Sequence, residues 1–314
     1  MGRAFIFPGQ GSQCIGMAKE FYDNFSYVKK MFEEANDTLK KDLTKIMFEG
    51  PDDVLTQTQN AQPAIMLASA AILKVIKKET GKNIEELCDF VAGHSLGEYT
   101  ALYAAKAISF SDALILLRAR GEAFARAGKI STGSMVALVG STVEQAEEVV
   151  KRAKIEGEIL DIANDNTVGQ IVLSGNKKSV EKVIEVAKEL NIKRAIELNV
   201  SGAFHSELMT PAIDDMIDVL HDVKIKEPKV EIIANYTAEK EKVEDVKENL
   251  IQQITGRVRW RETMLALEKY GCNTFVEIGI GKVLSGMVVR TCPDVKVLTV
   301  NSIDTLKNFI DFIN

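Results

Sequence analysis

Phe90-Val91-Ala92-Gly93-His94-Ser95-Leu96-Gly97-Glu98 is the stretch that decides the fold. Its apolar opening predicts a buried strand, Gly-x-Ser-x-Gly follows, and Tyr99-Thr100-Ala101-Leu102-Tyr103-Ala104-Ala105 predicts a helix. Strand, tight turn and helix in that order make a nucleophile elbow, a strained turn that pushes a serine hydroxyl into a cleft. A side chain at Gly93 or Gly97 would obstruct the approach of strand and helix. Ser95 then stands at a helix N-terminus, where free N–H groups and the helix dipole favour a developing negative charge. A five-residue pattern also arises by chance, but the strand before it and the helix after it favour function.

The chain has 314 residues, enough for one large α/β domain or a domain pair with a full core. Hydrophobic residues at 46% and charged residues at 27% are ordinary for a globular protein in water. No apolar run approaches the ~20 residues that cross a bilayer, and the start lacks the basic-then-apolar plan of a signal peptide. A cytoplasmic protein with no membrane partner is expected. The formal charge of −6, with no basic stripe, disfavours nucleic acid as a partner. Cys14, Cys88, Cys272 and Cys292 are scattered without C-x-x-C spacing, which argues against a disulfide framework or a zinc site. The three histidines, His94, His205 and His221, are too few for a histidine-rich site, so no metal is expected.

Ala4-Phe5-Ile6-Phe7 reads as the first strand and runs into the loop Pro8-Gly9-Gln10-Gly11-Ser12-Gln13, which lacks a P-loop ending or a dinucleotide fingerprint. Residues 17–48 read as amphipathic helix, and Asn60-Ala61-Gln62-Pro63 leads into an apolar helix over 64–77. Residues 130–198 read as strand, helix, strand, strand, helix, strand, the ferredoxin-like plan. Beyond them, a helix is expected over about 207–223, and strands at 230–235, 274–279 and 295–300. The expected fold is α/β. An α/β-hydrolase-like large domain with a parallel sheet and the elbow, residues 1–129 and 199–314, carries an inserted ferredoxin-like (βαββαβ) small domain at 130–198.

The helix opened by Ser109-Phe110-Ser111-Asp112 has separable faces. Ala113, Leu117, Phe124 and Ala127 recur at three- and four-residue steps, and Arg120 lies in their stripe. Arg118, Glu122 and Arg126 line another face, where two opposite-charge pairs are possible, and Arg118 and Arg126 read as solvated surface. A guanidinium directed inward is costly unless an anion or several acceptors meet it, so Arg120 is either half of a structural ion pair or an anion holder. The stripe leaves both open.

A serine hydroxyl is a poor nucleophile unless a base takes its proton. His94 is next to Ser95, where a tight turn directs adjacent side chains apart, and His221 reads as a surface or capping residue. His205 follows a strand in a loop with Gly202, and we favour it as the base over a structural histidine. No carboxylate between Ser95 and His205 stands out as a triad acid, so a neutral main-chain carbonyl is an alternative that fixes the tautomer.

These blocks together resemble the malonyl-CoA:acyl carrier protein transacylase family of fatty-acid synthesis. The likeness rests on Phe7-Pro8-Gly9-Gln10-Gly11-Ser12-Gln13, Gly93-His94-Ser95-Leu96-Gly97-Glu98, Arg118-Ala119-Arg120-Gly121 and Gly202-Ala203-Phe204-His205-Ser206. Ala163-Asn164, Gln170-Ile171-Val172-Leu173-Ser174-Gly175, Glu277-Ile278-Gly279 and Gly281-Lys282-Val283-Leu284-Ser285-Gly286 add to it, in family order over nearly the whole chain. Val168, Arg257 and Ile280 stand in loops where the family often has proline.

The resemblance implies that Ser95 takes a malonyl group from malonyl-CoA as an ester, with His205 as general base and then general acid. It implies an oxyanion hole from the N–H groups of Gln10 and Leu96, and Arg120 holding the malonyl carboxylate. The main-chain carbonyl of Gln253 would orient the histidine, and Phe204 would favour malonyl over bulkier branched units. The partner implied is acyl carrier protein, an acidic helical protein, with Lys193, Arg194, Lys282 and Arg290 as candidates to receive it. No cofactor beyond the coenzyme A thioester substrate is expected, and the chain is expected to be a monomer. Three rival readings remain: a serine esterase on the same elbow, a catalytically silent docking module, and a trans-acting acyltransferase serving a polyketide synthase.

Overall fold

A computed structural model describes residues 2–314. Its strands are β1 (Arg3–Phe7), β2 (Phe90–Gly93), β3 (Gly133–Val139), β4 (Leu160–Thr167), β5 (Gln170–Asn176), β6 (Arg194–Glu197), β7 (Glu231–Ile233), β8 (Thr274–Ile278) and β9 (Lys296–Val300). Five of them form a parallel sheet in the order β7-β2-β1-β8-β9. Phe5 pairs with Val91 on one side and Val276 on the other, so these three share a row and a face. They belong to the larger core, whereas Ala4, Ile6, Phe90, Ala92 and Phe275 point into a second core across the sheet. Period-two alternation thus divides a nearly continuous apolar run between two covered faces, the pattern of a buried parallel sheet.

The remaining strands form an antiparallel sheet in the order β4-β5-β3-β6. Helices Val143–Ala153 and Lys177–Glu189 cover one face through Val136, Leu138, Val149, Leu173, Val180 and Val183. The opposite face, with Met135, Ala137, Ala163 and Val172, joins the larger core. The join is also hydrogen bonded along β4: Asp165 N–H donates to Val258 O at 3.0 Å and Val258 N–H to Ala163 O at 2.8 Å. Arg261 pairs with Asp165 at 2.8 Å, and Thr167 Oγ1 donates to Met287 O at 3.1 Å.

Four expectations are corrected, three of helix boundaries and one at Arg118. Residues 17–48 are not one helical run but the helices Lys19–Asn24, Ser26–Leu39 and Leu43–Glu49, broken by extended Phe25 and by Lys40 at φ 49°. The helix expected from Ala64 starts at Thr58 and contains Pro63. Proline has no N–H for the carbonyl of Gln59 one turn earlier, and Arg118 Nη1 donates to that oxygen instead at 3.0 Å. Arg118 is therefore tied down, not merely solvated: it also meets Asn60 Oδ1 and Glu122, while Arg126 reaches Asp215. Lastly, residues 207–223 divide into a 3-10 turn, Glu207–Ala212, that contains Pro211, and an α-helix, Ile213–His221.

Parallel strands point their C-terminal ends the same way, so β1, β2 and β7 deliver the Pro8 loop, the elbow and Asn235 to one edge of the sheet. A cavity of about 390 Å³ opens there, walled on its far side by Met135 and Val172 of the antiparallel sheet.

Candidate active site

Ser95 sits in the cavity wall with φ 53°, the left-handed region that a residue with a Cβ rarely adopts. The turn is as tight as its glycines suggest. A Cβ on Gly93 would lie 1.9 Å from Gly97 C, and one on Gly97 would lie 2.4 Å from Phe7 O. Asn235 holds the strained residue: its Oδ1 accepts from Ser95 N–H at 2.7 Å, and its Nδ2 donates to Gly93 O at 2.6 Å. Strain of this kind costs roughly 1–3 kcal/mol and persists only where the surroundings over-determine it.

Ser95 Oγ lies 2.8 Å from His205 Nε2, and His205 Nδ1 lies 2.7 Å from Gln253 O. A carbonyl only accepts, so Nδ1 carries the proton and Nε2 is left to accept from the serine hydroxyl. His205 is buried, and desolvation first and the Arg120 charge second hold its pKa down to about 3. The imidazole is neutral at pH 7 and ready to act as a base. Gln10 and Leu96 line the same cavity as Ser95, and among the described residues neither N–H has a protein acceptor. The Leu96 N–H at the N-terminus of helix Gly97–Ala104 and the Gln10 N–H of the loop after β1 can together meet an oxyanion.

Arg120 points inward and is 1% exposed. Its Nη1 donates to Gln62 Oε1 at 2.8 Å, and its Nη2 to Gln253 Oε1 at 2.8 Å and Ser95 Oγ at 3.1 Å. Its guanidinium carbon lies 4.2 Å from the centre of the Phe124 ring. Burial lowers its pKa, and Nε has no partner. Among the described residues no carboxylate reaches ion-pair distance, so the structural ion pair is not what buries this cation. The stripe places Arg120 here because Gly121 lets its helix, Phe110–Ile130, touch the start of helix Thr58–Thr80. A Cβ on Gly121 would lie 2.4 Å from Gln59 Cα.

The acyl transferase domain family matches residues 4–307. A malonyl CoA-acyl carrier protein transacylase of Bacillus subtilis (strain 168) is 45% identical over 306 residues, 97% of this chain and 95% of its own. The chain belongs to the malonyl-CoA:acyl carrier protein transacylase family. Among solved structures, the acyl-carrier-protein-S-malonyltransferase of Bartonella henselae superposes with TM-score 0.96 at 46% identity, covering 100% of this chain and 99% of that one. A malonyl-transacylase in complex with a type II polyketide synthase acyl-carrier protein superposes with TM-score 0.94 at 34% identity, covering 99% of each chain.

Within this family member, Ser95, His205, Gln10, Leu96, Arg120 and Phe204 line one cavity, Phe204 with its ring centre 5.3 Å from that of Phe124, and the Gln253 carbonyl meets His205 from outside that lining. Lys282 adjoins the cavity-lining Val283 and Leu284, and Arg290 lies farther along the same helix. Lys193 and Arg194 are at the start of β6, whereas the cavity is lined by Leu198 just past its end.

Three features of the site are not legible in the sequence: Asn235, the buried Glu98, and the pairing of His94 with Asn166, whose Oδ1 lies 2.8 Å from His94 Nε2. Asn235 follows a three-residue strand with no motif around it, and only the β7–β2 pairing places it under the elbow. Glu98 stands in the quoted stretch, yet nothing in the local pattern marks its side chain as buried. It accepts from Asn235 N–H at 3.0 Å and from Gln253 Nε2. Burial, reinforced by repulsion from Glu241, pushes its pKa above the ordinary carboxylate range.

Proposed function

We propose that the protein transfers a malonyl group from malonyl-CoA to the phosphopantetheine thiol of acyl carrier protein, through a malonyl ester on Ser95. The observation that carries this reading is the Ser95–His205 pair beside a buried guanidinium that, among the described residues, has no carboxylate at ion-pair distance. A cation buried without an anion is costly, and a malonyl carboxylate bound against Arg120 removes that cost.

In the first half-reaction Ser95 Oγ attacks the thioester carbonyl while His205 Nε2 takes its proton. The tetrahedral oxyanion accepts from the N–H groups of Gln10 and Leu96. Its collapse expels the coenzyme A sulfur, which receives the proton from His205. The carrier thiol then repeats these steps in reverse and frees Ser95, giving a ping-pong exchange. Nucleophile, base and oxyanion donors are all protein groups, and the sequence of steps calls for no metal or redox cofactor.

The topology supports an α/β-hydrolase-like large domain, residues 1–129 and 199–314, with a ferredoxin-like insert at 130–198 that closes over the ester and keeps water away. We assign Phe204 the role of narrowing the acyl site, and Lys282 that of meeting the acidic carrier at the cavity mouth. Among the described residues no helix is long and apolar enough to cross a membrane. A cytoplasmic monomer remains our proposal.

Intact-mass analysis after incubation with malonyl-CoA tests the reading. A malonyl adduct on Ser95 that is discharged by holo acyl carrier protein is the expected result. Rapid release of free malonate without carrier points to an esterase, and absence of any adduct to a docking module. The likeness to a transacylase bound to a polyketide carrier keeps a second acceptor in play, and discharge rates on fatty-acid and polyketide carriers separate the two.

A further inference from the structure

The side chain of Gln253 does something its main chain does not. Nε2 donates to Ser95 O at 3.1 Å and to Glu98 Oε2, while Oε1 accepts from Arg120 Nη2 at 2.8 Å. Two acceptors face the NH2 end and one cation faces the oxygen. A flipped amide would set NH2 against the guanidinium and oxygen against a carboxyl and a carbonyl, so the surroundings admit one orientation. Glu98 fixes that orientation from the first turn of helix Gly97–Ala104, and its other oxygen takes Asn235 N–H at 3.0 Å. The second anchor of Arg120 is independent. Gln62 Nε2 donates to Thr58 Oγ1 at 2.8 Å, which donates to Gln10 Oε1 at 3.1 Å.

We infer that the Gln253 side chain, oriented by Glu98, is a specificity-determining positioning element that locks the Arg120 guanidinium in register with Ser95. This rests on the malonyl-transfer reading and deepens it. A carboxylate-bearing acyl group needs its carboxylate and its thioester carbonyl placed at once, on the guanidinium and on Ser95 Oγ. A guanidinium free to swing still attracts the anion but no longer sets its distance from the hydroxyl. An acetyl group has no carboxylate and does not depend on that lock.

The test is Gln253→Met, which removes the amide and keeps the main-chain carbonyl that faces His205. Single-turnover formation of the Ser95 adduct is followed by intact mass with malonyl-CoA and, separately, with acetyl-CoA. Both rates are read as kcat/KM, and their ratio is the malonyl preference. Loss of a charge-assisted hydrogen bond predicts that this preference falls about tenfold or more. A role confined to stability slows both substrates by the same factor and leaves the preference unmoved. Gln253→Asn, which withdraws the amide by one methylene, gives the same readout should the methionine variant fail to fold, and the same fall is expected. A preference that stays within about threefold of wild type in a folded variant overturns the inference. Wild type that takes no malonyl group overturns the transferase reading itself. Wild type that takes it, with variants that keep its preference, overturns this inference alone.

Discussion

Asn235 grips Ser95 from below: Oδ1 accepts the serine N–H at 2.7 Å while Nδ2 holds Gly93 O at 2.6 Å. One amide thereby spans both sides of the elbow and keeps Ser95 at a positive φ. Asn235→Ala leaves the part-buried Ser95 N–H and the buried Gly93 carbonyl unpaired, the latter at a cost of about 1–3 kcal/mol. We expect acylation of Ser95 to slow by roughly ten- to a hundredfold with malonyl-CoA and acetyl-CoA alike. Single-turnover adduct formation measures it, and an unchanged rate refutes the clamp.

Arg120→Ala removes the cation set beside the nucleophile. The expected outcome is a fall of about a hundredfold or more in kcat/KM for malonyl-CoA, with acetyl-CoA accepted relatively better. Unaltered malonyl-CoA kinetics in this variant would show that the carboxylate is held elsewhere.

The pKa of His205 lies at about 3, lowered from an ordinary 6.5 by burial and by Arg120. Between those values the unfolded chain binds a proton at this residue and the folded chain does not, so stability rises with pH there. The contribution is fully present above pH 6.5 and is lost as pH falls toward 3, at up to about 1.4 kcal/mol per pH unit. Urea unfolding of wild type and His205→Gln between pH 4 and 7 reads it, on the order of three pH units apart. The wild type should lose stability more steeply on acidification, and parallel curves would count against the neutral imidazole. For the same reason, protonation of His205 should not limit adduct formation at pH 5 to 6.

Gly121 is where two helices touch. In Gly121→Ala the new methyl would meet Gln59 Cα at 2.4 Å and Thr58 O at 2.7 Å, both backbone atoms that do not move cheaply. Destabilisation of about 1–3 kcal/mol is expected in urea unfolding, together with a loss of malonyl preference as Arg120 is carried away from Gln62. Wild-type stability in this variant would mean that the helices part without cost.

Much of the fold is legible in the sequence. Apolar runs mark β1, β2 and β8, and Gly93 and Gly97 read as places of close backbone approach, as the structure has them. A helical stripe directs Arg120 inward, as the structure has it, whereas the tethering of Arg118 to Gln59 and Asn60 is not legible. Other features were not readable. Pro63 looked like a helix start because the sequence does not reveal that Arg118 satisfies the carbonyl it frees. Residues 17–48 kept their amphipathic period across two breaks, at Phe25 and Lys40, that no proline or glycine announces.

The stretch around Ser95 determined by itself that a strand would turn sharply into a helix and present a hydroxyl, because that outcome depends on spacing and side-chain size within a single segment. Tertiary structure alone decided what the hydroxyl would meet. His205, Gln253 and Asn235 arrive from beyond an inserted sheet, and Arg120 arrives on a helix that packs close only through Gly121. Their hydrogen bonds join positions far apart in the chain, where no local periodicity reaches, and it is those bonds that bring a neutral base and a buried guanidinium into contact with one serine.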